Sequence, residues 1–162
     1  MEKIITIKPN DLQKQLRKFN LMGYSDSTVK YEDNQKNGKI LTRQEGDWKY
    51  EDEYYGGEPY SGNETLWYKG LNVFRCVYWG KVASGVNFSD IYSFLRKALK
   101  EGPTGKCVHR GPERFVEGEM AYTNECEGDT EEFVQVERIY INNKEVYLAH
   151  FIGGRINVRK EQ

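Results

Sequence analysis

The feature that most limits how this chain can fold is an internal repeat. Residues 46–82 align with residues 118–155 once a single residue is inserted in the second copy. The identical pairs are Gly46 with Gly118, Tyr50 with Tyr122, Glu53 with Glu125, Gly56 with Gly128, Glu64 with Glu137, Val73 with Val146, and Gly80 with Gly153. Because glycine, aromatic and acidic residues recur in one order, both copies are predicted to adopt the same fold.

Each copy is predicted to form three antiparallel strands joined by short turns. The predicted strands are residues 47–54, 64–68 and 72–79 in the first copy, and 119–126, 137–141 and 145–152 in the second. Successive side chains of a strand point to opposite faces. Trp48 and Tyr50 should therefore lie on the buried face, with Lys49, Glu51 and Glu53 on the other.

Two helices are predicted, one before the repeats and one between them. The first begins with Asn10 as its cap and continues to Phe19, with apolar residues at helical spacing. The second begins with Ser89 as its cap and ends at Gly102. A polar hairpin is predicted from residues 28–31 and 39–42.

Strands that follow strands, with a single helix between the copies, argue against a parallel sheet. The predicted fold is α+β: a curved antiparallel sheet or partial barrel from two pseudo-repeated three-stranded units, with one helix between them and one N-terminal helix. Residues 1–162 are expected to form a single domain.

Composition excludes several classes of protein. The 162 residues include 12 Tyr, 7 Phe and 3 Trp, enough apolar material for a folded core. Lys and Arg number 24 against 25 Asp and Glu, so no net charge favours nucleic acid or an anionic membrane. Residues 1–9 hold too short an apolar stretch for a signal peptide, and we expect a cytoplasmic protein.

The three cysteines are Cys76, Cys107 and Cys126, an odd number with no C-x-x-C pair. This pattern favours reduced thiols over a disulfide framework or a zinc site. Motifs for nucleotide or serine hydrolase chemistry are missing from the sequence. We therefore expect no metal and no cofactor.

Acidic residues cluster in both copies, and the equivalent positions are the candidate site. Residues 44–64 hold seven acids and one lysine, and residues 116–137 hold eight acids and no base. Asp52 and Glu53 in the first copy correspond to Asn124 and Glu125 in the second, just before Gly56 and Gly128. These clusters are either solvated surface or a site where paired carboxylates meet a basic residue.

Two basic residues complete the list of candidates. Arg110 can hold a carboxylate or phosphate ligand with its planar fork, or can form a structural salt bridge to an acid of either copy. His150 interrupts an apolar pattern in the last strand and is either a ligand-binding residue or a satisfied core or edge residue.

The sequence resembles a family of uncharacterised bacterial domains, some of which lie C-terminal to an Xre-type helix-turn-helix in transcription regulators. The similarity spans residues 46–154 and rests on GDWKYED at 46–52, RGPE at 110–113, YTNECEGD at 122–129 and HFIGG at 150–154. The family has no known activity, so the resemblance implies no catalytic residue. Residues before 46 hold one predicted helix only, and DNA binding does not transfer.

The function that we expect is a non-catalytic module of regulatory type that binds a small molecule or a protein. The alternative is a small carboxylate-dependent enzyme, of hydrolase or lyase type, that uses paired acids from the two copies. The partners that we expect for this protein are a small molecule or another protein, and neither nucleic acid nor a membrane. A homo-oligomer is possible.

Overall fold

The computed structural model describes residues 6–157, so the first five residues of the segment considered above as a signal peptide lie outside it. The described residues form two helices and nine strands. The helices are α1 (Pro9–Leu21) and α2 (Phe88–Glu101). The strands are β1 (Glu32–Asp33), β2 (Lys39–Glu45), β3 (Trp48–Gly56), β4 (Tyr60–Tyr68), β5 (Leu71–Val82), β6 (Arg114–Glu117), β7 (Met120–Gly128), β8 (Glu132–Ile141) and β9 (Lys144–Arg155).

All nine strands belong to one open antiparallel sheet, in the order β1-β2-β3-β4-β5-β9-β8-β7-β6. This confirms the predicted α+β class with an antiparallel sheet and an N-terminal helix. Neither helix has the length and hydrophobicity needed to span a bilayer.

The sheet consists of two equivalent halves that meet where β5 pairs with β9. Tyr50 is paired with Leu66 in the first half, and Tyr122 with Ile139 in the second, as the repeat alignment requires. The register shifts directly after Leu66 and Ile139, so even the irregularity is repeated. Each half also has a fourth strand, β2 or β6, because β2 pairs with β3 as β6 pairs with β7.

The helices cover one face of the sheet, here called the inner face. Leu12, Leu16 and Phe19 of α1 are buried, and the Phe19 ring stacks on Tyr50 with centroids 5.5 Å apart. Helix α2 buries an apolar stripe as well, which consists of Ile91, Phe94, Leu95, Ala98 and Leu99. Burial of these apolar side chains stabilises the packing of both helices on the sheet.

Both predicted helix caps are wrong. Helix α1 has Lys8 at the cap position and Pro9 in its first turn, because proline lacks the N–H that a helix start leaves unpaired. Helix α2 is capped by Asn87, whose side-chain oxygen accepts from the Ser89 backbone N–H at 3.0 Å. The predicted end at Gly102 is confirmed by its positive φ of 74°.

The polar hairpin is shorter than predicted. Its first strand is Glu32–Asp33, not residues 28–31. The Asn34 side chain accepts from the backbone N–H groups of Lys36 and Gly38, which closes the turn and sets the register of the strands beside it.

The prediction of reduced thiols is wrong for two of the three cysteines. Cys107 and Cys126 form a disulfide, whereas Cys76 is free and buried. Cys107 lies in the loop between α2 and β6, and that loop folds against β7 so that the two Cα atoms are 5.2 Å apart. Spacing along the chain carries no information about this contact, because folding of the loop creates it.

Candidate functional site

The inner face of the first half holds a cavity of about 480 Å³, within the range that accommodates small organic ligands. Aromatic rings make up most of its wall. These rings belong to Tyr24, Tyr31, Tyr54, Tyr60, Tyr78, Phe88, Tyr92 and Phe151. Charged side chains also line it, from Asp52, Glu58, Glu64, Arg96 and Arg110.

Asp52 points into this cavity from the middle of β3. It follows Tyr50 by two residues, so the alternation of the strand turns it to the inner face. Its two carboxylate oxygens accept hydrogen bonds from Tyr78 at 2.6 Å and from Tyr31 at 2.5 Å. Burial, followed by the negative charge of Glu64, raises the pKa of Asp52 to about 6.

Glu64 lies opposite Asp52 in the next strand and is fully enclosed. Its carboxylate accepts from the Tyr50 hydroxyl at 2.5 Å and lies 2.6 Å from His109 Nε2. Burial alone would raise the pKa of Glu64, but His109 and Arg110 together lower it. The His109 ring is held among Phe74, Phe133 and Phe151.

Glu137 is the counterpart of Glu64 in the second half and has an equivalent set of partners. Tyr122, the counterpart of Tyr50, donates its hydroxyl to Glu137. Arg110 adds two hydrogen bonds to the same carboxylate, at 2.7 and 3.0 Å. The two repeated glutamates are therefore held by neighbouring residues of one loop, His109 and Arg110.

That loop makes the two halves differ. Residues 102–113 lie over the inner face of the second half, where the Asn124 side chain donates to the Gly111 carbonyl at 3.0 Å. Asn124 is 2% exposed and has no open space in front of it. The equivalent position in the first half, Asp52, faces the cavity.

Glycines make room for the tyrosines of the cavity wall. A Cβ atom on Gly62 would lie 2.5 Å from the Tyr78 hydroxyl and 2.4 Å from the Glu53 carbonyl oxygen. A Cβ on Gly80 would lie 2.5 Å from the Tyr60 hydroxyl. The absence of side chains at these positions lets Tyr78 reach Asp52 and lets Tyr60 reach Tyr147, at 2.7 Å.

Glu64, Cys76 and His109 are the described residues grouped as a metal site would require, with ligand atoms within 4.8 Å of one another. A zinc ion needs nitrogen and oxygen ligands about 2 Å away on different sides. The 2.6 Å separation of His109 Nε2 and Glu64 leaves no space between them for an ion. In this arrangement the two side chains bind each other.

The structure brings two of the six predicted candidates to the cavity wall, Asp52 and Arg110. Asn124 lies on the inner face beneath the loop. The other three, Glu53, Glu125 and His150, lie on the outer face of the sheet. Four strands, β4, β5, β9 and β8, separate the strand of Glu53 from that of Glu125.

Those three outer residues have partners of their own. Glu125 is exposed and accepts from Arg138 at 3.1 Å. Glu53 accepts from the Tyr55 hydroxyl at 3.3 Å. His150 is exposed and pairs with Trp79 across the strands. The predicted salt bridge of Arg110 to an acid of a repeat is formed, with Glu137.

Several residues of the cavity wall and of the buried contacts beside it are not among the predicted candidates. Glu64 and Glu137 carried a usable signal, because an acid recurs at an inner-face position of both copies. Tyr24 and Tyr31 carried none, since they lie in irregular segments whose path over the sheet is a tertiary property. His109 carries no such signal either, because its contact with Glu64 forms only when the loop folds over the sheet.

Comparison with known proteins finds one family. The family model described as "Domain of unknown function (DUF5680)" matches residues 52–156, from Asp52 in β3 to the residue after β9. No curated protein and no solved structure matches the chain.

Proposed function

This chain belongs to the DUF5680 family, and we propose that it is a non-catalytic module that binds a small organic molecule in the tyrosine-lined cavity. The observation that carries the proposal is the cavity of about 480 Å³ on the inner face of the first half. Apolar walls with a few fixed polar groups are typical of sites for small organic molecules.

The polar groups of the cavity are held in place before any ligand arrives. Asp52 is fixed by Tyr31 and Tyr78, and Arg110 by Glu137. Glu58 accepts from the backbone N–H of Val82 at 2.7 Å and from the Tyr92 hydroxyl. Preorganised groups lose little conformational entropy on binding, which favours affinity.

A regulatory role follows from the resemblance to domains fused to Xre-type helix-turn-helix proteins. In such an arrangement, a ligand enclosed between α2, the segment after α1 and the sheet would stabilise their packing. Ligand occupancy would then be signalled to the fused domain through α1 or α2.

A carboxylate-dependent enzyme of hydrolase or lyase type is the second candidate. It is supported by Asp52 and Glu64, paired across β3 and β4, whose pKa values are shifted in opposite directions. The binding role is favoured because the equivalent acids of the two repeats are already paired with basic residues of one loop. Glu64 is paired with His109, and Glu137 with Arg110.

The test is a protein-observed NMR screen with ring-containing small molecules of positive, neutral and negative charge. Gly57 lines the cavity, and a Cβ placed on it meets no atom within 4 Å, so Gly57→Trp adds bulk there without a clash at Cβ. We expect binders to perturb the cavity tyrosines and to lose about tenfold or more in affinity in Gly57→Trp.

The matched control is Val134→Trp, which adds the same bulk at an exposed position of the outer face. It should leave affinity unchanged. An equal loss of affinity in both variants would overturn the proposed function. A screen in which no compound binds would overturn it as well.

A further inference from the structure

The charges around the cavity are not balanced. Arg110 is paired with Glu137, and Glu64 with His109. Asp52 has no Lys, Arg or His side chain within ion-pair distance among residues 6–157, and the same holds for Glu58. Asp52 is only 7% exposed, so its charge is enclosed without a cation. An enclosed carboxylate of this kind is costly unless a positive group comes to it.

The tyrosine hydroxyls beside Asp52 and Glu58 already donate hydrogen bonds to these carboxylates. Tyr31 and Tyr78 donate to Asp52, and Tyr92 donates to Glu58. Burial and the charge of Asp52 raise the pKa of Tyr31 and Tyr78, so both hydroxyls keep the proton that they donate. What these groups still offer toward the cavity is lone pairs, and a ligand in contact with them must supply hydrogen-bond donors.

The remaining wall also suits a positive charge. Aromatic faces attract cations, and one such contact already exists, because Arg96 lies 4.7 Å from the ring centroid of Tyr24. Arg110 makes the same contact with Phe151, again at 4.7 Å. Both guanidinium groups at the wall are thus engaged with rings, whereas Asp52 is not engaged with any cation.

We propose that the cavity binds a ring-bearing organic cation with N–H donors, a protonated amine, whose ammonium group contacts Asp52 and whose ring lies among the tyrosines. This inference rests on the proposed function and adds the chemical class of its ligand. Asp52 is then the residue that determines specificity for charge, and Tyr31 and Tyr78 are positioning residues that orient its oxygens.

The experiment compares three probes of similar size by isothermal titration calorimetry at pH 7.5. They are phenethylamine as the cation, 2-phenylethanol as the neutral analogue and phenylacetate as the anion. We expect phenethylamine to bind at least about tenfold more tightly than either analogue. The reason is that a hydrogen bond between charged groups contributes more binding free energy than a neutral one. This comparison uses the unaltered protein and needs no variant to fold.

Two variants then locate the charge that is recognised. Asp52→Asn should lose about tenfold or more in affinity for phenethylamine and leave the affinity for 2-phenylethanol unchanged. Glu51→Gln removes the same charge from the neighbouring position, which faces the outer side and pairs with Lys49 at 2.7 Å. This control should bind all three probes as the unaltered protein does.

Each other outcome overturns the proposed ligand class. If 2-phenylethanol or phenylacetate binds as tightly as phenethylamine, and Gly57→Trp weakens that binding, the cavity binds ligands but does not select cations. If phenethylamine does not bind, or if Asp52→Asn and Glu51→Gln weaken it equally, no amine site exists at Asp52. The proposed function is decided separately, by the wider screen.

Discussion

Asp52 and Asn124 occupy the same position in the two halves of the sheet, but only Asp52 faces open space. The Asn124 side chain is bound to backbone carbonyls of the loop that covers the second half. Asp52 is bound to two tyrosine hydroxyls at the wall of the cavity. The residue at this repeated position therefore holds the loop in the second half, whereas in the first half it lines the candidate binding site.

The enclosed charge of Asp52 should lower stability as the pH rises. Its pKa is about 6 in the folded chain and near 3.8 when exposed, so the folded state holds the proton over a pH range in which the unfolded chain has lost it. Stability from this group is fully present below pH 4 and is lost as the pH passes 6. Burial contributes most to this pKa, and the charged and polar groups that face the carboxyl are Glu64, Tyr31, Tyr78 and Arg110.

Asp52→Asn should therefore gain stability relative to the unaltered protein between pH 4 and pH 7. The gain should approach a value on the order of 3 kcal/mol, since one pKa unit corresponds to about 1.4 kcal/mol. Urea unfolding of both proteins at several pH values measures it. A difference in unfolding free energy that stays constant or shrinks over this range would contradict the assignment.

The buried pair of Arg110 and Glu137 should matter more for stability than the surface pairs. Arg110→Met leaves the fully buried Glu137 carboxylate without a positive partner, which should cost about 3 kcal/mol or more in unfolding free energy. The double variant Arg110→Met with Glu137→Gln should recover much of that loss. As a control, Arg138→Met removes a partner of the exposed Glu125 and should cost less than about 1 kcal/mol. Equal losses in the single and double variants would refute this account.

Gly62→Ala should disturb the cavity although it adds a single methyl group. The new Cβ would lie 2.4 Å from the Glu53 carbonyl oxygen and 2.5 Å from the Tyr78 hydroxyl, so backbone and ring must move. We expect a loss of about 1–3 kcal/mol in unfolding free energy, as is usual for overpacked positions. Gly57→Ala, where a Cβ meets open space, is the matched control and should be nearly neutral. A Gly62→Ala protein as stable as the control would show that Tyr78 is not tightly placed.

The disulfide between Cys107 and Cys126 should anchor the loop that carries His109 and Arg110. It closes a loop of 19 residues, which corresponds to about 3 kcal/mol by restriction of the unfolded chain. Thermal unfolding with and without reductant should show a lower midpoint when the bond is reduced. The double variant Cys107→Ser with Cys126→Ser should have that lower midpoint in both conditions. No response of the unaltered protein to reductant would mean that the bond contributes nothing.

Much of the sheet could be predicted because its determinants are local. Alternation along one strand is enough to assign Asp52 to the inner face and Glu51 to the outer face, and the repeat transfers this assignment to Asn124. Strand β6 escaped prediction because it has only four residues and follows a loop rich in glycine and proline. Its pairing with β7, not its own sequence, makes it a strand.

The site could be predicted only in part, for a related reason. Arg110 and Asp52 stand out as charged residues at marked positions, and both reach the cavity. Glu53 and Glu125 seemed equally promising, since they are identical in the two copies. Alternation along β3 already places Glu53 on the face opposite Tyr50, and identity between the copies carries no information that overrides this assignment.

The loop over the second half determines which side chains the assembly of the sheet depends on. Because its buried contacts to Glu64 and Glu137 cross the seam between β5 and β9, one segment holds both halves in register. Asp52 and the tyrosines of the cavity wall take no part in these ion pairs. Exchange of one of these side chains would leave the ion pairs across the seam intact, so the lining of the cavity can change while the sheet keeps its assembly.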